Sequence, residues 1–155
     1  MKLVASAFAE GSEIPRRHTQ EGEDLSPALA WSGVPAQAQS LVLIVDDPDA
    51  PDPAAPRMTW VHWLLFNLPP VDGGLAEGTK SFPPGTGHGT NDRHTTDWHG
   101  PKPPIGRHRY YFRLYALDTR LELPGHPTRA QIDTAMQGHI LAQASLMGTY
   151  QLQGR

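Results

Sequence analysis

The sequence predicts a mainly β single domain with one helix near its C-terminus. Three observations carry this reading. The 155 residues suffice for one core and include 15 glycines and 16 prolines, a density of chain breakers that suits strands joined by turns and long loops. Three runs rich in β-branched and aromatic residues, each bounded by turn formers, have the length and composition of strands. Helical spacing of apolar residues begins only after Thr128. A disordered chain is excluded, because 38% of the residues are apolar and Trp, Tyr, Phe, Val and Leu recur in compact runs.

The elements follow in chain order. Lys2 and the apolar stretch ending Ala7-Phe8-Ala9 mimic a cleavable leader, but the stretch is too short, and Leu3 to Phe8 reads as a first strand. Leu29 to Ser32 reads as a second, short one. Ser40 to Asp46 is a buried strand rich in Val, Leu and Ile. Asp47-Pro48-Asp49-Ala50-Pro51-Asp52-Pro53 is expected to leave it, since proline cannot continue a ladder. Trp60 to Asn67 is a strand stopped by Pro69-Pro70, with a short strand near Gly74 to Gly78. Gly85 to Gly106 reads as a long loop, and long loops in compact domains often carry function. His108 to Asp118 is the longest strand. Thr128 and Gln131 fit a capping box, and Ile132, Met136, His139, Ile140, Gln143 and Met147 predict a helix ended by Gly148. No apolar run approaches the ~20 residues of a membrane span.

Charge and composition exclude several functions. The formal net charge is −3 and Lys and Arg form no long block, so the footprint of a nucleic-acid binder is absent. Without cysteine there is no disulfide framework, thiol nucleophile or Cys-based zinc site, which suits a reducing, cytoplasmic setting. Gly85-Thr86-Gly87-His88-Gly89 precedes no helix, and no nucleotide motif appears, so no cofactor is expected. Ser81 and Thr95 lack the G-x-S-x-G context of a nucleophile.

The candidate functional residues cluster at strand ends. Side chains alternate across a strand, so Trp60, His62, Leu64 and Phe66 are expected on one face, and His108, Tyr110, Phe112 and Leu114 on another. Asp47 continues the face of Leu41, Leu43 and Val45. Each residue alone has an ordinary structural reading: a core histidine, or an aspartate capping a turn. Together they suggest an anion pocket, with histidines as donors, backbone N–H groups from a Gly-rich loop, and Trp60 and Tyr110 as walls. Asp47 would repel an anion unless it orients or shares a proton with a histidine. The alternative is an acid–base or metal-assisted hydrolase using Asp47, His62 and His108. Arg109, Tyr111, Arg113 and Tyr115 line the opposite face of the longest strand, either as a binding surface or as a solvated face. His88, His94 and His99 with Asp92 and Asp97 match no zinc spacing.

Asp47-Pro48-Asp49-Ala50-Pro51, Trp60-Val61-His62-Trp63 through Pro69, and Gly100-Pro101-Lys102-Pro103-Pro104-Ile105-Gly106-Arg107-His108-Arg109-Tyr110 resemble, in order, three boxes of the phosphatidylethanolamine-binding proteins, also called the Raf kinase inhibitor protein family. Ile14-Pro15, Ser26 to Trp31, Gly89-Thr90-Asn91-Asp92 and a terminal helix with His139-Ile140-Leu141-Ala142 resemble its bacterial and archaeal, YbhB/YbcL-like branch. The resemblance implies a central β-sheet packed on a second sheet, and a pocket for phosphate, phospholipid head groups or other small anions. It places Asp47, Pro51, His62, His108 and Tyr110 in that pocket, with Asp49, Trp60 and Pro104 close by. It also implies a homodimer and, from animal members, regulation of protein partners such as kinases. Lys102 and the His-rich stretch Arg93 to His99 depart from the branch pattern.

Overall fold

The structure, a computed structural model, describes residues 1–153. Strands β1 (Lys2–Ala5), β2 (Leu29–Ser32) and β5 (Gly73–Leu75) form a small antiparallel sheet in the order β1-β2-β5. Strands β3 (Ser40–Ala50), β4 (Met58–Leu68), β6 (Gly87–His88), β7 (His108–Leu117) and β8 (Ile140–Tyr150) form a large one in the order β6-β4-β3-β7-β8. Helix α1 (Arg129–Met136) precedes β8, and Arg16–His18 makes one 3-10 turn. No helix among the described residues is long and apolar enough to cross a membrane.

The large sheet is buried on both faces around β3. Leu41, Leu43, Val45, Trp63, Leu65, Phe112 and Leu114 meet Leu3, Trp31 and Leu75 of the small sheet. On the other face Val42, Ile44, Leu64 and Phe66 are covered by Leu121 and by Ile132 and Met136 of α1. A strand sandwiched this way needs apolar residues at every position, which explains the unbroken Leu41 to Val45 run.

Two irregularities aim side chains at one end of this sheet. Val45 pairs with Trp63, but Asp46 pairs with Val61, so β4 carries an extra residue at His62. The expected single face of Trp60, His62, Leu64 and Phe66 therefore breaks: Leu64 and Phe66 pack on the helix side, whereas Trp60 and His62 line a cavity. The second correction concerns Asp47 to Ala50, which does not leave the sheet. Asp47 pairs with Trp60 and Ala50 with Met58, with a register shift between. Pro48 falls inside that irregularity, where its missing N–H costs no ladder bond.

The C-terminal helix is shorter than its spacing predicts. α1 ends at Met136, Gly138 turns the chain at φ 80°, and the rest is strand. β8 pairs with β7 along its length, from Leu117↔Ile140 to His108↔Tyr150. Pairing along a long apolar strand outweighs a weak helical period already broken by glycine. The His139 to Ala142 segment is thus the entry to a strand, not a helix. Gly148 is a close-approach glycine: a Cβ there would lie 2.6 Å from Ile14 Cγ1 and 2.8 Å from Phe8 Cε2.

The capping box is present: the Thr128 hydroxyl accepts from Gln131 N–H, and the Gln131 side chain accepts from Thr128 N–H. Thr128→Ala should lower stability by about 1 kcal/mol, read as a reduced urea midpoint at unchanged slope.

Candidate functional site

Three strand ends converge on a cavity of about 450 Å³. β3 brings Asp47 and Ala50, followed by Pro51 after a cis Ala50–Pro51 bond. β4 brings Met58, Trp60 and His62, and β7 brings His108 and Tyr110. The long loop closes the cavity with Arg93, His99, Lys102, Pro103 and Pro104. That loop is ordered by buried Asn91, whose amide donates to Thr95 Oγ1 and the Asp97 carbonyl at 2.9 Å and whose oxygen accepts from Arg93 and Thr95 N–H at 3.0 Å. Asp92 accepts from Val61 N–H at 2.6 Å and so pins the loop to β4.

His108 is the centre of the hydrogen bonding. It is 1% exposed, and its Nδ1 lies 2.6 Å from Asp47 Oδ2. Its Nε2 faces the carbonyls of Pro51 at 3.1 Å and Ile105 at 2.9 Å. Carbonyls only accept, so Nε2 carries a proton. A second proton lies between Nδ1 and the carboxyl, and with it the pair is neutral overall. Burial pushes the Asp47 carboxyl above its usual range, against the lowering effect of His108. Asp47 Oδ1 accepts from Asp49 N–H at 2.7 Å, which fixes the turn leading to Pro51. The ring expected to donate freely to an anion thus has both nitrogens committed within the protein.

His62 is also committed at one nitrogen. Its Nδ1–H donates to the His99 carbonyl. Burial, foremost, lowers it to about 4, so at neutral pH it is uncharged. A neutral ring that donates at Nδ1 offers a lone pair at Nε2. The sequence suggests the histidines as donors to an anion; His62 instead donates within the protein and presents an acceptor. Tyr110 stands between the two rings, edge-on to His62 at 5.3 Å and stacked with His108 at 6.4 Å. Burial, then the charge of Asp47, keeps its hydroxyl protonated.

Of the residues singled out in the sequence, Asp47, Pro51, Trp60, His62, Pro104, His108 and Tyr110 line the cavity. Asp49 does not. Its carboxylate accepts from Arg109 Nε at 3.0 Å, Arg109 Nη2 at 2.8 Å and Arg109 N–H at 2.9 Å, and this fork holds it below the usual carboxylate range. On the same face Arg113 and Arg129 share buried Asp46, and Arg113 lies over Tyr111 at 4.4 Å, so this face is tied by ion pairs rather than left free. His88, His94, His99, Asp92 and Asp97 form no cluster of three metal-type side chains among the described residues.

Sequence reasoning missed Gln20, Arg57 and Met58 in the lining, treated Arg93 and Lys102 only as features of an unusual loop, and weighed His99 only as a metal ligand. Arg57, Arg93 and Lys102 have no carboxylate partner among the described residues. Their signal was present as isolated cations beside prolines and histidines, but nothing in the spacing says that they converge.

A two-sheet β domain with a cavity where β3, β4 and β7 converge defines the class of protein. Residues 4–151 match the family model described as phosphatidylethanolamine-binding protein, and the chain belongs to that family. A relative from Methanothermobacter thermautotrophicus, described as a UPF0098 protein, is 46% identical over 97% of this chain and 98% of its own. Among solved structures, a putative phosphatidylethanolamine-binding protein homolog, CT736 from Chlamydia trachomatis, superposes with a TM-score of 0.90 at 43% identity, covering 98% of this chain and 97% of that one. YbcL of E. coli, described as a member of the mammalian PEBP family, gives a TM-score of 0.87 at 27% identity over 98% of both chains.

The His62 environment predicts an acid sensitivity. The proton binds the unfolded chain near the ordinary 6.5 and the folded one only near 4. Between these values the unfolded state holds more protons. The contribution is therefore fully present above 6.5, falls as pH drops, and is lost below about 4. Its size is about 3 kcal/mol. Asp47, raised by burial, acts in the opposite sense, so the comparison is made against His62→Gln: between pH 6.5 and 4 the urea midpoint of wild type should fall more steeply than that of the variant.

Proposed function

We propose that this cavity binds a small anion, a phosphate group above all, and that the protein acts as a binding protein rather than a hydrolase. One observation carries the reading. Among the described residues, Arg57, Arg93 and Lys102 surround the cavity without carboxylate partners, and the only carboxylate in its lining, Asp47, is balanced by His108. This local excess of positive charge stands on a chain whose net charge is −3, so it is not a by-product of composition. Apolar walls from Pro51, Met58, Trp60 and Pro104 reduce the dielectric and strengthen attraction to a bound anion. The Tyr110 hydroxyl, kept protonated by burial beside Asp47, completes the wall. Family membership supports the same reading.

The arrangement does not favour hydrolysis. His108 is saturated by Asp47 and two carbonyls, His62 Nδ1 by a third, and no hydroxyl nucleophile of a serine or threonine lines the cavity. His62 Nε2 keeps a free lone pair, but a general base also needs a nucleophile within reach, and no serine or threonine of the described lining supplies one.

The test is a titration with inorganic phosphate and phosphoethanolamine followed by amide NMR. Saturable shifts should centre on Asp47, His62, His108 and Tyr110. Arg93→Gln and Lys102→Gln should each weaken binding about two- to fivefold, and added salt should shrink the difference. Shifts confined to surface lysines and arginines, or none, would contradict the proposal.

A further inference from the structure

Asp24 lies outside the cavity, in a segment to which strand patterning assigns nothing. It adopts φ 56°, a conformation that aspartate tolerates better than most residues. Its Oδ1 accepts from the Trp98 indole N–H at 3.0 Å and from Gly100 N–H at 3.0 Å. Gly100 has no alternative: a Cβ there would collide with Asp24 Oδ1 and the His18 carbonyl. Gln20, four residues before Asp24, donates from Nε2 to the Gly100 carbonyl at 2.8 Å and from its N–H to the Pro101 carbonyl at 3.0 Å. Trp98 is in turn stacked on Phe112 at 6.0 Å and edge-on to Trp63 at 5.5 Å.

Residues 98, 100 and 101 are therefore held from one side by a single short segment. The residue between them, His99, directs its carbonyl at His62 Nδ1. A neutral imidazole has one N–H, so fixing it at Nδ1 leaves Nε2 bare. That nitrogen has no protein partner among the described residues, and it is not among the polar atoms sealed from solvent. His99, Asp46 and His108 are the titratable neighbours that act on His62, and Asp47 lines the same cavity.

We propose that Asp24 is a positioning residue for the cavity: by holding residues 98–100 it keeps the His99 carbonyl on His62 Nδ1, presents His62 Nε2 as an acceptor, and so selects a phosphate monoester, through its P–OH, over a phosphodiester. The ligand half of this inference rests on the anion reading above. The positioning half rests on the protein alone. The rim cations draw any anion in, and the inner acceptor distinguishes those that bring a proton.

The experiment has two arms. In the first, long-range proton–nitrogen NMR on histidine-labelled protein at neutral pH reads the His62 tautomer in wild type, Asp24→Ala and Asp24→Asn. Wild type should show one tautomer, protonated at Nδ1. Asp24→Ala should mix both tautomers and weaken methyl phosphate binding about tenfold. Asp24→Asn, which keeps an acceptor oxygen, should stay close to wild type. Should Asp24→Ala fail to fold, Trp98→Phe removes one of the two donors and should show the same mixing to a smaller degree. A wild-type His62 protonated at Nε2, or a tautomer left unchanged in Asp24→Ala or, should that variant not fold, in Trp98→Phe, would overturn the positioning role.

In the second arm, methyl phosphate and dimethyl phosphate are compared at about pH 5.5, just below the second ionisation of a phosphate ester near 6. Both are then mainly monoanions, and only methyl phosphate has a P–OH. It should bind about tenfold more tightly. Equal affinity would overturn the selection. Binding of neither would overturn the anion reading and the ligand half with it, while the tautomer spectra would still decide the positioning half.

Discussion

The cavity depends on the hydrogen bonds of one buried ring. Beyond the last β3–β7 ladder pair, Asp46↔Tyr111, His108 ties together the end of β3 through Asp47, the turn at Pro51, the proline loop at Ile105 and its own strand β7. Buried hydrogen-bonded pairs of this kind contribute little net stability against an apolar replacement, but breaking one partner leaves the other uncompensated. The arrangement is therefore rigid rather than strongly stabilising. It holds the cavity open by spending both nitrogens of a histidine on the protein, and leaves recognition to Tyr110, His62 and the rim cations.

The same strand end shows how alternation distributes charge. Asp46, Asp47 and Asp49 lie within four positions, yet each meets a different partner: Arg113 and Arg129, His108, and Arg109. Asp46 and Asp49 tie the sheet's outer face and the helix. Only Asp47 faces the cavity. A cluster of carboxylates that would repel an anion is thereby reduced to one, and that one is balanced.

Much of this was legible in the sequence. The Val and Leu run of β3, the aromatic runs of β4 and β7 and the density of Gly and Pro identify the sheet, and three short boxes identify most of the cavity residues. What was not legible has particular physical causes. The extra residue at His62 reverses alternation, and no residue type marks a bulge of this kind. Pro48 stays in the strand because an irregularity absorbs it. Ile140, Gln143 and Met147 fit a helical period by coincidence, and only pairing with β7 makes them a strand. Asp49 sits inside a recognised box but is taken by Arg109. Asp24, Arg57, Arg93 and Lys102 reach the site by tertiary folding, which spacing along one chain does not encode.

The most direct test of this account is a crystal structure grown with saturating methyl phosphate. The account predicts the phosphate inside the cavity, within hydrogen-bond distance of Tyr110 and His62, with His108 still bonded to Asp47, Pro51 and Ile105. A phosphate held outside by the arginines and lysine alone, or a His108 ring turned away from those carbonyls to meet it, would contradict it.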